Sequence, residues 1–397
     1  MTSSLCLSNI RIARVSTVPY TMIAHLKSQI EHLSKCGADV IVVSSDGTEM
    51  KVFEGIERVY TFPVNIARDI SPFSDLSALF RLFKLFRNKR IHIVHTTTPK
   101  AGVLAALAAW AARVPIRLHT FTGQPWVSMT GVKAWLARLS DKLIGVMNTK
   151  CYADSFGQMK YLISERIVKK GKITVLGDGS LGGVDLERFD PNRFSVEERQ
   201  SIRKSLGIPF SAPVLLFVGR ITRDKGVYEL LRAFSEIKDQ RKDLHLVLVG
   251  NFDSGSGAGG AISPDDVSNY PDTHIVDYTY EPERYYAISD ILCLPSYREG
   301  FGTVVIEAAA MGVPAIGTRI YGLSDAIVDE ETGLLVEARD VRALVEAIQR
   351  LLNDAELRSR MGRAAMARAR VLFNAKRINK LIEEEYLHLL TCHANLS

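Results

Sequence analysis

Two carboxylates, Glu299 and Glu307, bracket the stretch REGFGTVVIE at 298–307. From Gly302 to Met311 the only charge is Glu307, set among Val304, Val305, Ile306, Ala308, Ala309 and Ala310. A carboxylate in such company needs a partner or a ligand to offset its desolvation. Ionised carboxylates accept hydrogen bonds from hydroxyls in pairs, as a ribose or a hexose presents them. The plainer reading is that Glu299 caps a helix and Glu307 pairs with a nearby cation. A second stretch, VGRITRDKG at 218–226, holds Arg220 and Lys225 close together, flanked by Gly219 and Gly226, which permit close backbone approach. A planar fork beside a point charge suits a diphosphate; the alternative is a solvated basic turn.

Such residues need rigid elements behind them. Val/Ile/Leu-rich runs that read as strands covered on both faces occur at 9–16, 38–45, 58–64, 91–96, 115–121 and 172–177. After a polar, proline-punctuated linker at 189–213 they recur at 214–219, 244–250, 273–278, 288–295, 313–318 and 333–337. Helical patterns lie between, including 24–35 and 75–90, and two long ones close the chain at 356–373 and 376–390. Alternating β and α predicts an α/β fold of two Rossmann-like, doubly wound domains facing across a cleft. The expected domains are 1–188 and 189–373, with a C-terminal helix at 374–397 crossing back to the first. Both glutamates and both cations then follow strand ends of one sheet. A helix opening at Gly302 or Thr303 would aim unpaired N–H groups at an anion between them. The Gly/Ser-rich run at 251–272 reads as a mobile loop at the cleft rim, or as an inert insertion.

Composition narrows the classes. The chain has 397 residues, 47% hydrophobic and 24% charged, which indicates core-forming domains. Five scattered cysteines without a C-x-x-C pair argue against a disulfide framework or a zinc site and for a reducing compartment. No secretory signal and no stretch long enough to span a bilayer are evident. The formal charge of +6 fits phosphorylated substrates or anionic lipid. Nucleic acid is disfavoured, since zinc-finger spacing, an RNP-like strand and a leucine zipper are all missing from the sequence.

The motifs then carry a resemblance. GRITRDKG at 219–226 resembles the G-R-x-x-x-x-K-G motif of family 4 glycosyltransferases of the GT-B fold, and 298–318 resembles their E-x7-E region. LGDGSLGGVDLERF at 176–189 is similar to the G-V-D-x-x-x-F hinge. YGLSDAIVDEETGLLVE at 321–337 is similar to the segment ending T-G-L-L-V. HTTTPKAG at 95–102 and HTFTGQPW at 119–126 resemble the bacterial branch that builds O-antigen, capsule and exopolysaccharide on a lipid carrier.

What the resemblance implies is a retaining transferase. Arg220 and Lys225 would hold the donor diphosphate, Glu307 the ribose and Glu299 the hydroxyls of the transferred sugar. Gly219 and the backbone at Phe301, Gly302, Thr303 and Val304 would line the donor site, with Tyr280 in the DYTYEP turn near the base. His119 would stand near the reacting centre, unless it is a histidine satisfied by its own strand. Thr122 joins Lys100 on the acceptor side. The family's glycine-rich loop after the first strand is replaced here by STVPYTMIAH at 16–25, and its hinge asparagine by Gly182. No aspartate stands two residues from another, so there is no D-x-D pair, and no metal or other cofactor is expected.

Membrane and acceptor features complete the reading. In LFRLFKLFRNKR at 79–90, Leu79, Leu82, Phe83 and Phe86 share one helical face; a basic amphipathic helix can lie on anionic lipid, or simply pack on the sheet. Trp126 and Trp135 add aromatic anchors. Thr98 is placed to cap a helix whose first residue is Pro99. Lys100 would then oppose the helix dipole, a misfit that an acceptor's lipid diphosphate would resolve. The expected partners are a nucleotide-sugar donor, UDP- before GDP-linked, a polyprenyl-diphosphate-linked glycan and the inner face of the cytoplasmic membrane. Transfer to a soluble acceptor, a GT-B-like sugar-nucleotide epimerase and a non-enzymatic nucleotide-sugar-binding subunit are the competing readings. A NAD-dependent oxidoreductase is disfavoured because no G-x-G-x-x-G follows the first strand.

Overall fold

The short apolar runs become parallel strands; in the central ones the Val, Ile and Leu side chains are covered from both faces, whereas the edge runs at 59–63 and 273–276 stay partly exposed. A computed structural model describes residues 7–67, 71–252 and 260–395, so part of the 251–272 run lies outside the described residues. The chain divides into two units. One comprises Met1–Gln124, Thr130–Gly183 and Ala375–Ser397; the other comprises Pro125–Met129 and Val184–Asn374.

In the first unit, β1 (Arg11–Val15), β2 (Asp39–Ser44), β3 (Val59–Pro63), β4 (Ile93–Thr96), β5 (Ile116–Phe121), β6 (Lys150–Ala153) and β7 (Ile173–Val175) form one sheet. The order is β3-β2-β1-β4-β5-β6-β7, parallel throughout. Alternate residues face opposite sides. Ala13, Val15, Ile41 and Val43 pack with Leu82 and Phe86 of the Pro72–Asn88 helix. Ile12, Val40 and Val42 pack with Ile30 and Leu33 of the Lys27–Lys35 helix and with Ile382 and Tyr386 of the Ala375–Ala394 helix. The C-terminal helix thus belongs to the first unit's core.

In the second unit, β8 (Val214–Val218), β9 (His245–Val249), β10 (Thr273–Val276), β11 (Ile291–Leu294), β12 (Ala315–Thr318) and β13 (Gly333–Val336) run in the order β10-β9-β8-β11-β12-β13. Both sheets are Rossmann-like. Each reverses its winding beside its first strand, between β1 and β4 and between β8 and β11, and ligands of open α/β sheets bind at the carboxyl ends of the strands at such a point. Besides Pro125–Met129, the second unit is one continuous segment from Val184, where the Val184 N–H donates to Phe373 O at 2.7 Å.

The 79–90 helix follows the second of its two readings, packing on the sheet, whereas Trp126 as an aromatic anchor needs correction. The Leu79–Phe86 face is turned inward: Leu82 and Phe86 are buried, and Leu79 and Phe83 pack against the same core. The outer face instead carries Phe73, Leu76 and Phe80, exposed by 91%, 66% and 65%, followed by exposed Lys84 and Arg87. Trp126 is buried, whereas Trp135 on the Gly131–Met147 helix is 62% exposed beside Val132, Leu136 and Leu139. Among the described residues no helix is long and apolar enough to cross a membrane.

Candidate active site

The second unit's switch point gathers the predicted cations and carboxylates. After β8 the chain passes Arg220, makes a 3-10 turn at Arg223–Lys225 and enters the Val227–Gln240 helix through Gly226. Gly226 has φ +70°, and a Cβ there would lie 2.0 Å from Pro295 O. The turn that holds Lys225 is therefore pressed against the end of β11. Pro295 itself opens the loop that carries Ser296, Arg298 and Glu299, so β8 and β11, neighbours in the sheet, present both sets of side chains together.

Lys225 Nζ lies 2.6 Å from Glu299 Oε1, and Ser296 Oγ donates to the same oxygen at 2.8 Å. Thr318 of β12 donates in turn to Ser296 O, which fixes that loop from below. Beside them Arg298 Nη2 meets Asp224 Oδ2 at 2.9 Å. Burial pushes the Asp224 carboxyl up, but the Thr222 hydroxyl at 2.6 Å and the charges of Arg298, Lys225 and Arg220 hold it below the usual carboxylate range. It stays ionised and orients cations on both sides. Arg220 is exposed.

The loop then turns into the Thr303–Ala310 helix. Its capping position is Gly302, at φ +91°, which supplies no side-chain cap. Among the described residues no acceptor takes the N–H groups of Thr303 and Val304, which leaves donors and the positive end of a helix dipole available to an anion. Phe301 is buried against Phe373, with ring centroids 5.0 Å apart, and offers backbone only. Gly322 allows the chain to pass under this loop, since a Cβ there would meet Glu299 O at 2.6 Å.

Glu307 lies one turn inside. Glu307 is half-buried and its carboxyl is crowded by protein, and that desolvation pushes it up to about 7 against the opposing influence of Tyr286 and Arg188. The Tyr286 hydroxyl stands 3.0 Å from Glu307 Oε2 and 3.2 Å from Val304 O. Arg188 grips Glu283 Oε2 through Nη2 at 2.7 Å and Nε at 3.0 Å, and also donates to Tyr280 O. Asp224, Ser296, Arg298, Tyr286, Arg188 and Glu283 were not singled out from sequence. Of these Asp224, Arg298 and Arg188 lay inside the motif segments 218–226, 298–307 and 176–189, and the other three carried no local signal. The Tyr280 ring is half exposed and meets Tyr278 edge-on at 5.0 Å. Gly219 continues β8, its N–H donating to Val249 O at 2.9 Å.

The residues expected from the first unit behave differently. His119 is 1% exposed, bonded through Nδ1 to Thr96 Oγ1 at 2.6 Å, and burial lowers it to about 3. It is packed under Gly102, where a Cβ would fall 2.7 Å from its Cε1. These are the surroundings of a neutral, buried histidine. Thr98 occupies the expected cap position, but its hydroxyl makes no cap and instead accepts from Thr17 N at 2.8 Å. That bond ties the loop after β4 to the loop after β1. Lys100 pairs with Asp75 at 2.7 Å, so protein already offsets the dipole misfit that motivated a lipid diphosphate there. Thr122 Oγ1 donates to Thr97 O at 3.2 Å.

Residues 198–368 match the model of glycosyl transferases group 1, and residues 21–179 match that of the glycosyl transferase 4-like domain. The capsular polysaccharide biosynthesis glycosyltransferase CapM of Staphylococcus aureus is 33% identical over 367 residues, which cover 91% of this chain and 93% of CapM. The sucrose-phosphate synthase of Thermosynechococcus elongatus superposes with a TM-score of 0.79 at 23% identity, over 97% of this chain and 100% of its own. HepE of Anabaena, solved in complex with UDP and glucose, superposes with a TM-score of 0.78 at 18% identity, over 95% and 99% of the two chains. At such identities the two structures speak for the fold alone.

Proposed function

The chain belongs to the group 1 glycosyl transferases with a family 4-like N-terminal domain, and we propose that it extends a lipid-linked glycan in capsule or related cell-surface polysaccharide assembly. In this reading a hexose or N-acetylhexosamine leaves a nucleotide diphosphate sugar, UDP- in preference to GDP-linked, for a hydroxyl on a polyprenyl-diphosphate-linked glycan. The configuration at the anomeric carbon is retained.

One observation carries the proposal: Lys225 and Glu299 meet at the carboxyl ends of β8 and β11, with Glu299 in the loop that leads into the helix whose first N–H groups, on Thr303 and Val304, have no acceptor among the described residues. The diphosphate would take the helix end with Arg220 and Lys225, and Glu299 would turn to the hydroxyls of the sugar. Glu307 would accept from the ribose. As the glycosidic bond breaks, charge builds on the departing diphosphate, where fixed cations and a dipole stabilise it without reorganisation. The acceptor hydroxyl attacks from the same face and gives its proton to a diphosphate oxygen, so neither glutamate is a nucleophile. The reaction so written needs no metal.

The likeness to a capsular polysaccharide glycosyltransferase along nearly its whole length supports this acceptor class. The outer stripe of Phe73, Leu76 and Phe80, with Lys84 and Arg87 following, supports attachment of the first unit to an anionic membrane at the cytoplasmic face. The test is incubation of the purified chain with radiolabelled UDP- and GDP-sugars and a membrane extract holding lipid-linked acceptors. Label should pass to the organic-extractable fraction from one nucleotide series. Label found only in water-soluble product, or a donor converted to its epimer with no acceptor present, would overturn the proposal.

A further inference from the structure

Away from the candidate active site, three metal-ligating side chains of the first unit converge where two helices touch. His32 lies on the Lys27–Lys35 helix, Cys36 one turn on at its C-terminal cap, and Glu383 faces them from the Ala375–Ala394 helix. His32 Nε2 is 2.8 Å from Glu383 Oε2 and 3.6 Å from Cys36 Sγ, and all three ligand atoms lie within 4.8 Å of one another. Ligands held at about 2.0–2.3 Å around tetrahedral zinc stand roughly 3.3–3.7 Å apart. The His32–Cys36 gap already has that length, and the His32–Glu383 contact needs to open by only about half an ångström.

We propose that His32, Cys36 and Glu383 bind a zinc ion, with water in the fourth position, and thereby clip the C-terminal helix to the first unit. The donor set selects the ion: imidazole, thiolate and one carboxylate suit zinc, whereas calcium and magnesium require oxygen ligands. Access is open, since His32 and Glu383 keep 30% and 26% of their side-chain surface in solvent. The two helices are already held in register one turn earlier, where Asn379 Nδ2 donates to Ser28 Oγ at 2.8 Å and Ser28 O at 3.2 Å. Buried Ile30, Leu33, Ile382 and Tyr386 pack alongside. The ion would take the place of the proton that His32 and Glu383 share, so little rearrangement accompanies binding. None of the three ligands belongs to the candidate active site, and the proposal stands independently of the reaction assigned to it.

Cobalt substitution tests the site directly, because a thiolate bound to cobalt gives a charge-transfer band in the near ultraviolet. Cys392 and His388 form another pair one helical turn apart, 3.6 Å from sulfur to Nε2, so the full chain is used as Cys392→Ser. One equivalent of cobalt should produce the band, zinc should abolish it, and Cys36→Ser should remove it. Zinc should also raise the Tm of this protein in a concentration-dependent way, and should not do so for His32→Ala. Alkylation of Cys36 in the Cys392→Ser chain, followed on its peptide by mass spectrometry, should slow at least tenfold with zinc, which needs no ligand variant to fold. Absence of the band at one equivalent, a band that survives Cys36→Ser, an equal Tm rise in His32→Ala, or unprotected alkylation would each overturn the proposal.

Discussion

Lys225 Nζ and Glu299 Oε1 stand 2.6 Å apart, so the cation assigned to a diphosphate and the carboxylate assigned to a sugar neutralise each other in this structure. Both side chains are largely buried, at 17% and 15% exposure, where leaving either charge alone is costly. A donor that places phosphate near Lys225 and hydroxyls near Glu299 supplies each with a new partner at once. The pair thus stores the two halves of a site in a mutually satisfied form, and Ser296 keeps Glu299 in place whichever partner it has.

That pairing makes the two residues energetically coupled. Lys225→Ala should lower kcat by more than about 100-fold, as expected for removal of a group aimed at developing charge. Glu299→Gln should lower kcat/KM by a similar order, and the double variant should lose much less than the product of the two. Steady-state kinetics of the three proteins measure this directly. Near-normal turnover in Lys225→Ala would remove it from the mechanism.

How far the sequence made this visible depends on range. Among the described residues twelve of the thirteen strands were legible because continuous apolar runs have no other home in an α/β domain. β6 was not, because Lys150-Cys-Tyr-Ala lacks any Val, Ile or Leu and becomes a strand only by pairing with β5 and β7. Arg220, Lys225, Glu299 and Glu307 stood out through local spacing. Their partners did not, since Lys225 meets Glu299 and Lys100 meets Asp75 only after sheet order and helix packing bring distant segments together. Thr98 shows the same limit: its cap geometry is local, but Thr17 takes its hydroxyl.

Glu307 should make donor binding depend on pH. Its carboxyl, pushed up to about 7, must ionise to accept hydrogen bonds from two ribose hydroxyls. Donor affinity, read by titration calorimetry with an intact nucleotide sugar, should therefore rise as pH increases from 6 to 8, and Glu307→Gln should flatten the profile. For stability the sign is opposite. A carboxyl raised in the folded state contributes stability that is full below its ordinary value of 4.5 and is lost as pH rises through about 7. Urea midpoints of Glu307→Gln against the parent should converge at low pH and favour the variant above 7.

Gly226→Ala should be destructive out of proportion to one methyl. The backbone is left-handed at φ +70°, and the added Cβ would lie 2.0 Å from Pro295 O, which cannot swing aside as a side chain would. Left-handed strain and overpacking together cost about 2–4 kcal/mol. Urea unfolding should show that loss, and kcat should fall at least tenfold because Lys225 is displaced with the turn. A variant with unchanged midpoint and turnover would mean that β8 and β11 are not joined as described.

The proposed membrane attachment would rest on side chains that the fold does not use. Phe73, Leu76 and Phe80 are exposed, so replacing all three by serine should leave Tm within a degree or two while abolishing co-sedimentation with anionic vesicles. Lys84→Gln with Arg87→Gln removes two cations from the same stripe. At about 1 kcal/mol for each cation near an anionic surface, the vesicle partition coefficient should fall roughly thirtyfold. Neutral vesicles should bind the parent weakly, and added salt should release it from anionic ones. Equal binding of parent and both variants would assign attachment to another surface, with the Trp135, Leu136 and Leu139 stripe of the Gly131–Met147 helix the next to alter.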